Sequence, residues 1–215
     1  AFRRLLEPGL RPGADEVAAV VAACDARRSE GSPSPRADRI VERLAQEYPG
    51  DPGVVTSLLL NPVTLQPGEA MFVPAGAVHA YLSGTAVELM ANSDNVLRAG
   101  LTAKHVDVAA VLAHVDYVAA PPIRIAPEIF HGATRVFYAP VDDFELSVTT
   151  STDDAAHPLP GRGPRVLLCL DGSMTVASDV DGSLTLERGR AAFVPAADGH
   201  LTVCGRGTLV QADVP

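Results

Sequence analysis

The stretch Pro67-Gly-Glu-Ala-Met-Phe-Val-Pro-Ala-Gly-Ala-Val-His-Ala-Tyr-Leu-Ser-Gly84 decides how the rest of the chain is read. Gly68 is followed six residues on by Pro74, then by Gly76 and His79. Glycine permits tight turns and proline stiffens them. Between the turns, Ala70-Met71-Phe72-Val73 reads as a short buried strand. Beyond them His79-Ala80-Tyr81-Leu82 alternates like a second strand, which puts His79 and Tyr81 on one face. A strand, a rigid turn and an inward histidine form an arrangement that holds an imidazole inside a barrel. His79 is therefore read as a metal ligand, against the plainer alternative of a core histidine bonded to a backbone carbonyl.

The same pattern recurs. Gly189-Arg-Ala-Ala-Phe-Val-Pro195-Ala-Ala-Asp-Gly-His200 repeats Gly68 to His79 at the same offsets, with Ala197 in place of the inner glycine. Two barrel units are expected, the second degenerate. No His-x-His pair or carboxylate accompanies His200, so it is not read as a ligand. His105, His114, His131 and His157 fall in helix or loop contexts and are expected in solvent.

Composition excludes several classes. The net charge of −9 disfavours nucleic acid, whose phosphates require a basic face. An anionic substrate would need a local cationic pocket against that overall field. No apolar run approaches the length that spans a membrane. Cys24, Cys169 and Cys204 show no framework spacing, which suits buried thiols in a reducing cytoplasm. Lys104 is the single lysine among 17 lysines and arginines. The first residues carry neither a methionine start nor a signal-peptide core, so the chain is expected to begin within a longer protein.

Along the chain, residues 1–50 read as a helical segment. Val17, Val20, Val21 and Cys24 share one helical face behind Asp15 and Glu16. Ser34 is an N-cap with Pro35 at the first helical position, and Ile40, Leu44 and Tyr48 follow on one face. After the turn-rich Tyr48–Gly53, strands are expected over Val54–Leu60, Val63–Leu65, Ala86–Met90 and Val96–Arg98, then a helix over Thr102–Val115. Tyr117–Pro127 reads as a proline-rich linker. Beyond it come short strands at Arg135–Tyr138, Phe144–Thr149, Arg165–Leu170, Ser173–Ala177, Leu184–Glu187, Ala191–Val194, Leu201–Cys204 and Leu209–Ala212. Asp171-Gly172 and Asp181-Gly182 look like hairpin turns. The class is mainly β, divided as 1–50, 51–116 and 117–215.

The spacing Gly-x5-Pro-x-Gly-x2-His resembles a conserved motif of the cupin barrels, filled here by Gly68, Pro74, Gly76 and His79. The following Thr85-Ala-Val-Glu88-Leu-Met-Ala-Asn-Ser93-Asp94-Asn95-Val-Leu-Arg98-Ala-Gly100-Leu-Thr102-Ala-Lys104, with Asn61-Pro-Val-Thr-Leu65, is similar to the signature region of the zinc-dependent mannose-6-phosphate isomerases. The likeness is dense from Leu58 to Leu112. It implies two jelly-roll (double-stranded β-helix) cupin units in tandem, with residues 51–116 part of the catalytic barrel and 117–215 the degenerate one.

It also implies an aldose–ketose isomerase working through a cis-enediol at a zinc site. By resemblance His79 is the metal ligand, Arg98 and Glu88 are catalytic, and Lys104, Tyr81 and Asp94 line the sugar-phosphate site. Which group is the base stays open. The family's Gln-x-His pair and further glutamate are not in this sequence, so the other zinc ligands are expected from an N-terminal half of the same protein. A non-catalytic cupin that binds a sugar or a partner protein is the alternative. A metal-dependent oxygenase would need a His-x-His or His-x-Asp pair, which the sequence does not contain.

Overall fold

The computed structural model describes residues 1–93, 95–180 and 182–214, and these fall into two compact units. The first comprises Ala1–Gln66, Val73–Ser83 and Asp94–Ile123. The second comprises Pro67–Phe72, Gly84–Ser93 and Arg124–Pro215.

The first unit is built on helices α1 (Phe2–Leu6), α2 (Ala14–Glu30), α3 (Pro35–Glu47), α4 (Gly53–Thr56) and α5 (Val108–His114). α3 begins where the sequence indicates, with Ser34 at the N-cap and Pro35 in the first turn. α2 buries Val17 and Cys24 against Val41 and Leu44 of α3 and Val54 of α4. On α3 the buried positions are Asp38, Val41 and Leu44, one residue round from the expected Ile40–Leu44–Tyr48 face. Asp38 is tolerated there because Arg27 of α2 grips its carboxylate through two guanidinium nitrogens. Those charge-assisted bonds hold the Asp38 carboxyl below the usual carboxylate range.

Several strands expected from residues 54–115 do not form. Val54–Leu60 is helical, as α4 followed by a single 3-10 turn over Ser57–Leu59. The β-branched run suggested a strand, but Asp51 accepts from the Gly53 amide and Pro52 opens the turn, and together they start a helix. Val63–Leu65, Ala86–Met90 and Val96–Arg98 have no regular structure, and neither does His79–Leu82. α5 is shorter than Thr102–Val115 because Asp107 caps it, accepting from the Ala110 amide at 2.9 Å.

The second unit is antiparallel β, so the chain as a whole is mainly β. β1 (Ala70–Phe72) pairs with β2 (Ile123–Ile125), which begins inside the expected linker. The larger sheet holds β3 (Glu128–Phe130), β4 (Thr134–Phe137), β5 (Glu145–Pro158), β6 (Arg165–Ser178), β7 (Ser183–Glu187), β8 (Ala191–Val194) and β9 (Leu201–Asp213). The order is β3-β4-β5-β9-β6-β7, with β8 on the first half of β6. Three strands are thus far longer than expected, because the breaks read from sequence are bends within continuous ladders.

Asp171-Gly172 shows how this comes about. It is no hairpin but an irregularity in the β6–β9 register between Cys169 and Asp171. Before it the inward residues of β6 are Arg165, Leu167 and Cys169, and after it they are Met174 and Val176. One extra residue has switched the face, as a β-bulge does. Gly172 sits at φ +72°, and a Cβ there would lie 2.0 Å from the Arg206 carbonyl oxygen. The second hairpin signal does fall in a connection, between β6 and β7, although Asp181 lies outside the described residues.

Leu167, Cys169, Met174, Val176, Leu186 and Val203 fill the core of this unit. One end is polar. Glu145, Asp213 and Arg165 are directly opposed on β5, β9 and β6, and all three are buried. Arg165 donates to the Gly199 carbonyl at 2.6 Å and to that of Gly161 at 3.3 Å. Burial lifts the carboxyls of Glu145 and Asp213 above their ordinary range and lowers the Arg165 guanidinium. His157 is also not in solvent. It is partly buried, with Nε2 3.3 Å from the Ser151 hydroxyl. Cys24 and Cys169 are buried as expected, whereas Cys204 is only partly so, and all three are free thiols.

Candidate functional site

The His79 motif keeps its turn but not its second strand. Ala77 N–H donates to the Pro74 carbonyl at 3.1 Å, and Gly76 adopts φ +81°. The turn is pinned to the end of α5, where the Asp116 amide donates to the Gly76 carbonyl at 3.0 Å. A Cβ at Gly76 would come within 2.9 Å of the His114 carbonyl oxygen, so the close approach requires glycine. Downstream, the Leu82 carbonyl accepts from the Arg43 guanidinium of α3, and Leu82 packs on the helical core. His79, Ala80 and Tyr81 therefore bridge two anchored points, and all three are exposed.

His79 Nδ1 lies 3.2 Å from the Ala77 carbonyl oxygen. A carbonyl can only accept, so Nδ1 carries the proton, and the neutral ring leaves its Nε2 lone pair outward. This is how a metal-ligating histidine is oriented by its outer partner. The Tyr81 ring meets the imidazole edge-on, centroids 5.7 Å apart at 70°. Among the described residues no group of three or more His, Cys, Asp or Glu side chains converges on one point. His79 thus fits zinc as one ligand of a set.

Arg98 and Lys104 lie in the same unit, on the loop entering α5, with Arg98 half-buried and Lys104 exposed. The middle of that loop is held firmly. Leu101 adopts φ +51°, unusual for a residue with a side chain. Its amide donates to Asp51 Oδ2 at 3.1 Å, while Asp51 Oδ1 accepts from Gly53 N–H at 2.7 Å. The Leu101 side chain packs on the helical core. A cleft of about 300 Å³ opens beside this point, lined by Arg11, Pro52, Gly100 and Thr102 among others. Glu88 is exposed and belongs to the second unit, and Asp94 lies outside the described residues. Asp51 escaped the sequence reading because Asp51-Pro52-Gly53 looked only like a boundary turn. The available signal was an aspartate placed to cap the next helix.

No protein-family model matches the chain. Among curated proteins, mannose-6-phosphate isomerase of Escherichia coli is 40% identical over 172 residues, which is 80% of this chain and 44% of that protein. The rat enzyme of the same name is 38% identical over 162 residues, covering 72% of this chain and 38% of its own length. The chain is a relative of the mannose-6-phosphate isomerases. It spans about half the length of the curated relatives it matches. Among solved structures, mannose 6-phosphate isomerase of Salmonella typhimurium, bound to its substrate fructose 6-phosphate and to zinc, superposes with a TM-score of 0.80 at 34% identity. That match covers 99% of this chain and 53% of the other. A second structure of the isomerase, bound with zinc and yttrium, gives a TM-score of 0.80 and the same 34% identity.

Proposed function

We propose that this chain belongs to an isomerase that interconverts mannose 6-phosphate and fructose 6-phosphate. The observation that carries the reading is the 80% of the chain aligned at 40% identity with a mannose-6-phosphate isomerase. Agreement with a structure holding fructose 6-phosphate and zinc supports the substrate and the metal.

In this reading His79 offers Nε2 to zinc, and the remaining ligands come from outside these 215 residues. Zinc, when bound, would polarise a sugar oxygen as a Lewis acid. The Arg98 guanidinium offers two parallel N–H groups to the oxygens of a cis-enediolate, whose negative charge grows as a proton moves between C1 and C2. Lys104 neutralises the phosphate, which the net charge of −9 would otherwise repel. Tyr81 lines the site beside His79, Glu88 is a candidate for proton transfer, and Asp94 orients Arg98. The proposal includes two cupin barrels in tandem, over 51–116 and 117–215, behind the helical segment 1–50. Three free thiols suit a cytoplasmic protein, and no helix among the described residues is long and apolar enough to cross a membrane.

The test is a coupled assay of fructose 6-phosphate formation by the complete gene product. Activity that a chelator abolishes, and that falls by about a hundredfold or more in Arg98→Ala, is the expected result. Folded, zinc-loaded protein without activity would instead point to a sugar-binding cupin.

A further inference from the structure

The loop between Arg98 and Lys104 has no regular secondary structure, yet its centre is tightly fixed. Leu101 lies midway, three residues from each cation. A residue with a Cβ at φ +51° is disfavoured unless something holds it there. Asp51 provides the hold. One carboxylate oxygen accepts from Leu101 and the other from Gly53, tying the loop to the start of α4 across 50 residues of sequence. The packing at this point leaves no slack. A Cβ on Gly53 would fall 2.8 Å from Leu101 Cγ, and one on Gly100 3.2 Å from Asp51 Oδ1. Both carboxylate oxygens are engaged by backbone amides, so the carboxylate acts as a two-pronged clasp and not as a surface charge.

We infer that Asp51 is a positioning residue, fixing the loop that presents Arg98 and Lys104 to the sugar phosphate. This rests on the isomerase reading above. Asp51 touches no substrate in this role; it acts through the backbone of Leu101. Misplacing a charged group by about 1 Å is enough to cost on the order of a hundredfold in rate.

The test uses the complete, zinc-loaded gene product. Asp51→Ala is expected to lower kcat/KM for mannose 6-phosphate about a hundredfold, with kcat falling and KM rising together, because both cations ride on the loop. Asp51→Asn keeps one acceptor oxygen and should lie between Asp51→Ala and the parent. A double-mutant cycle separates positioning from general damage. If Asp51 works through the loop, Arg98→Ala costs much less activity in the Asp51→Ala background than in the parent. Additive losses, or Asp51→Ala with the parent's kcat and KM, would overturn the inference. Amide exchange at Leu101 is the second readout, expected to speed up at least tenfold in Asp51→Ala, and unchanged exchange would overturn the clasp itself. A parent protein inactive on the sugar phosphate would sink the isomerase reading instead, while the Leu101 exchange would still judge the clasp.

Discussion

Gly172→Ala is the sharpest test of how the long strands of the second unit bend. The residue sits at φ +72°, where a Cβ costs about 1–2 kcal/mol in any context. The added methyl would also lie 2.0 Å from the Arg206 carbonyl oxygen and 2.8 Å from Gly207 Cα, against an ordinary contact that begins at 3.4 Å. β9 would have to retreat by more than an ångström at the point where it pairs with β6. Forced displacement of packed structure adds about 1–3 kcal/mol. The expected total is about 2–5 kcal/mol, a large share of the ~5–15 kcal/mol that stabilises a typical domain. Gly189→Ala is the matched control, with φ +80° and nothing within 4 Å of the added methyl. It should show the backbone term alone, about 1–2 kcal/mol. Urea unfolding followed by amide exchange in β6 and β9 peptides reads both variants. Equal costs for the two would refute the bulge as the element that brings β6 and β9 so close.

Two further predictions concern pH, and they run in opposite directions. Burial raises the carboxyls of Glu145 and Asp213, so the folded state holds protons that the unfolded state releases. Their stabilising contribution is complete below the ordinary carboxylate range near ~4 and is lost as pH rises through the folded values. Glu145→Gln should therefore flatten the decline of the urea midpoint with rising pH, and an unchanged slope would contradict the assignment. Asp38 is the reverse case, since its bonds to Arg27 lower its carboxyl. Its contribution is present above the ordinary range and fades as pH falls through the folded value. Asp38→Asn should destabilise the α2–α3 pair at neutral pH more than in acid, read by amide exchange in those helices after correction for intrinsic rates.

What was legible in the sequence follows from which signals are local. α3 could be read from Ser34, Pro35 and its periodicity, because a cap and a fixed φ act within one turn. Val54–Leu60 was misread because its β-branched residues favour strand, while the side chain that starts the helix, Asp51, lies outside the run. Ala86–Met90 and Val96–Arg98 carry apolar patterns suited to strands, yet Val87, Met90, Val96 and Leu97 are all exposed. A strand needs an edge to pair with, and among the described residues these segments have none. The doubling of β6 and β9 was hidden for a different reason. Glycine signals a turn and a bulge alike, and only the partner strand distinguishes them. At the site, His79 was legible as a motif and Asp51 was not, because its partner Leu101 lies 50 residues away.

The two copies of the histidine motif show where the chemistry resides. Both open on a glycine at φ near +80°, at Gly68 and Gly189, and both continue into a strand and a proline turn. They part at the position of the inner glycine. Gly76 takes φ +81° and lets the turn close against the end of α5, with Asp116 N–H on its carbonyl. Ala197 cannot follow cheaply, so a 3-10 turn forms over Ala196–Asp198 and the positive φ moves to Gly199. His200 then enters β9 with its amide bonded to Asp179 Oδ1 and its carbonyl to the Asp179 amide, a structural use of the position. His79 instead leads into an irregular segment that runs on to Arg98, Leu101 and Lys104. One alanine for one glycine thus separates a histidine that extends a ladder from one left outward with a free Nε2. The motif supplies a turn, and the loop held by Asp51 supplies the cations that would make it a site.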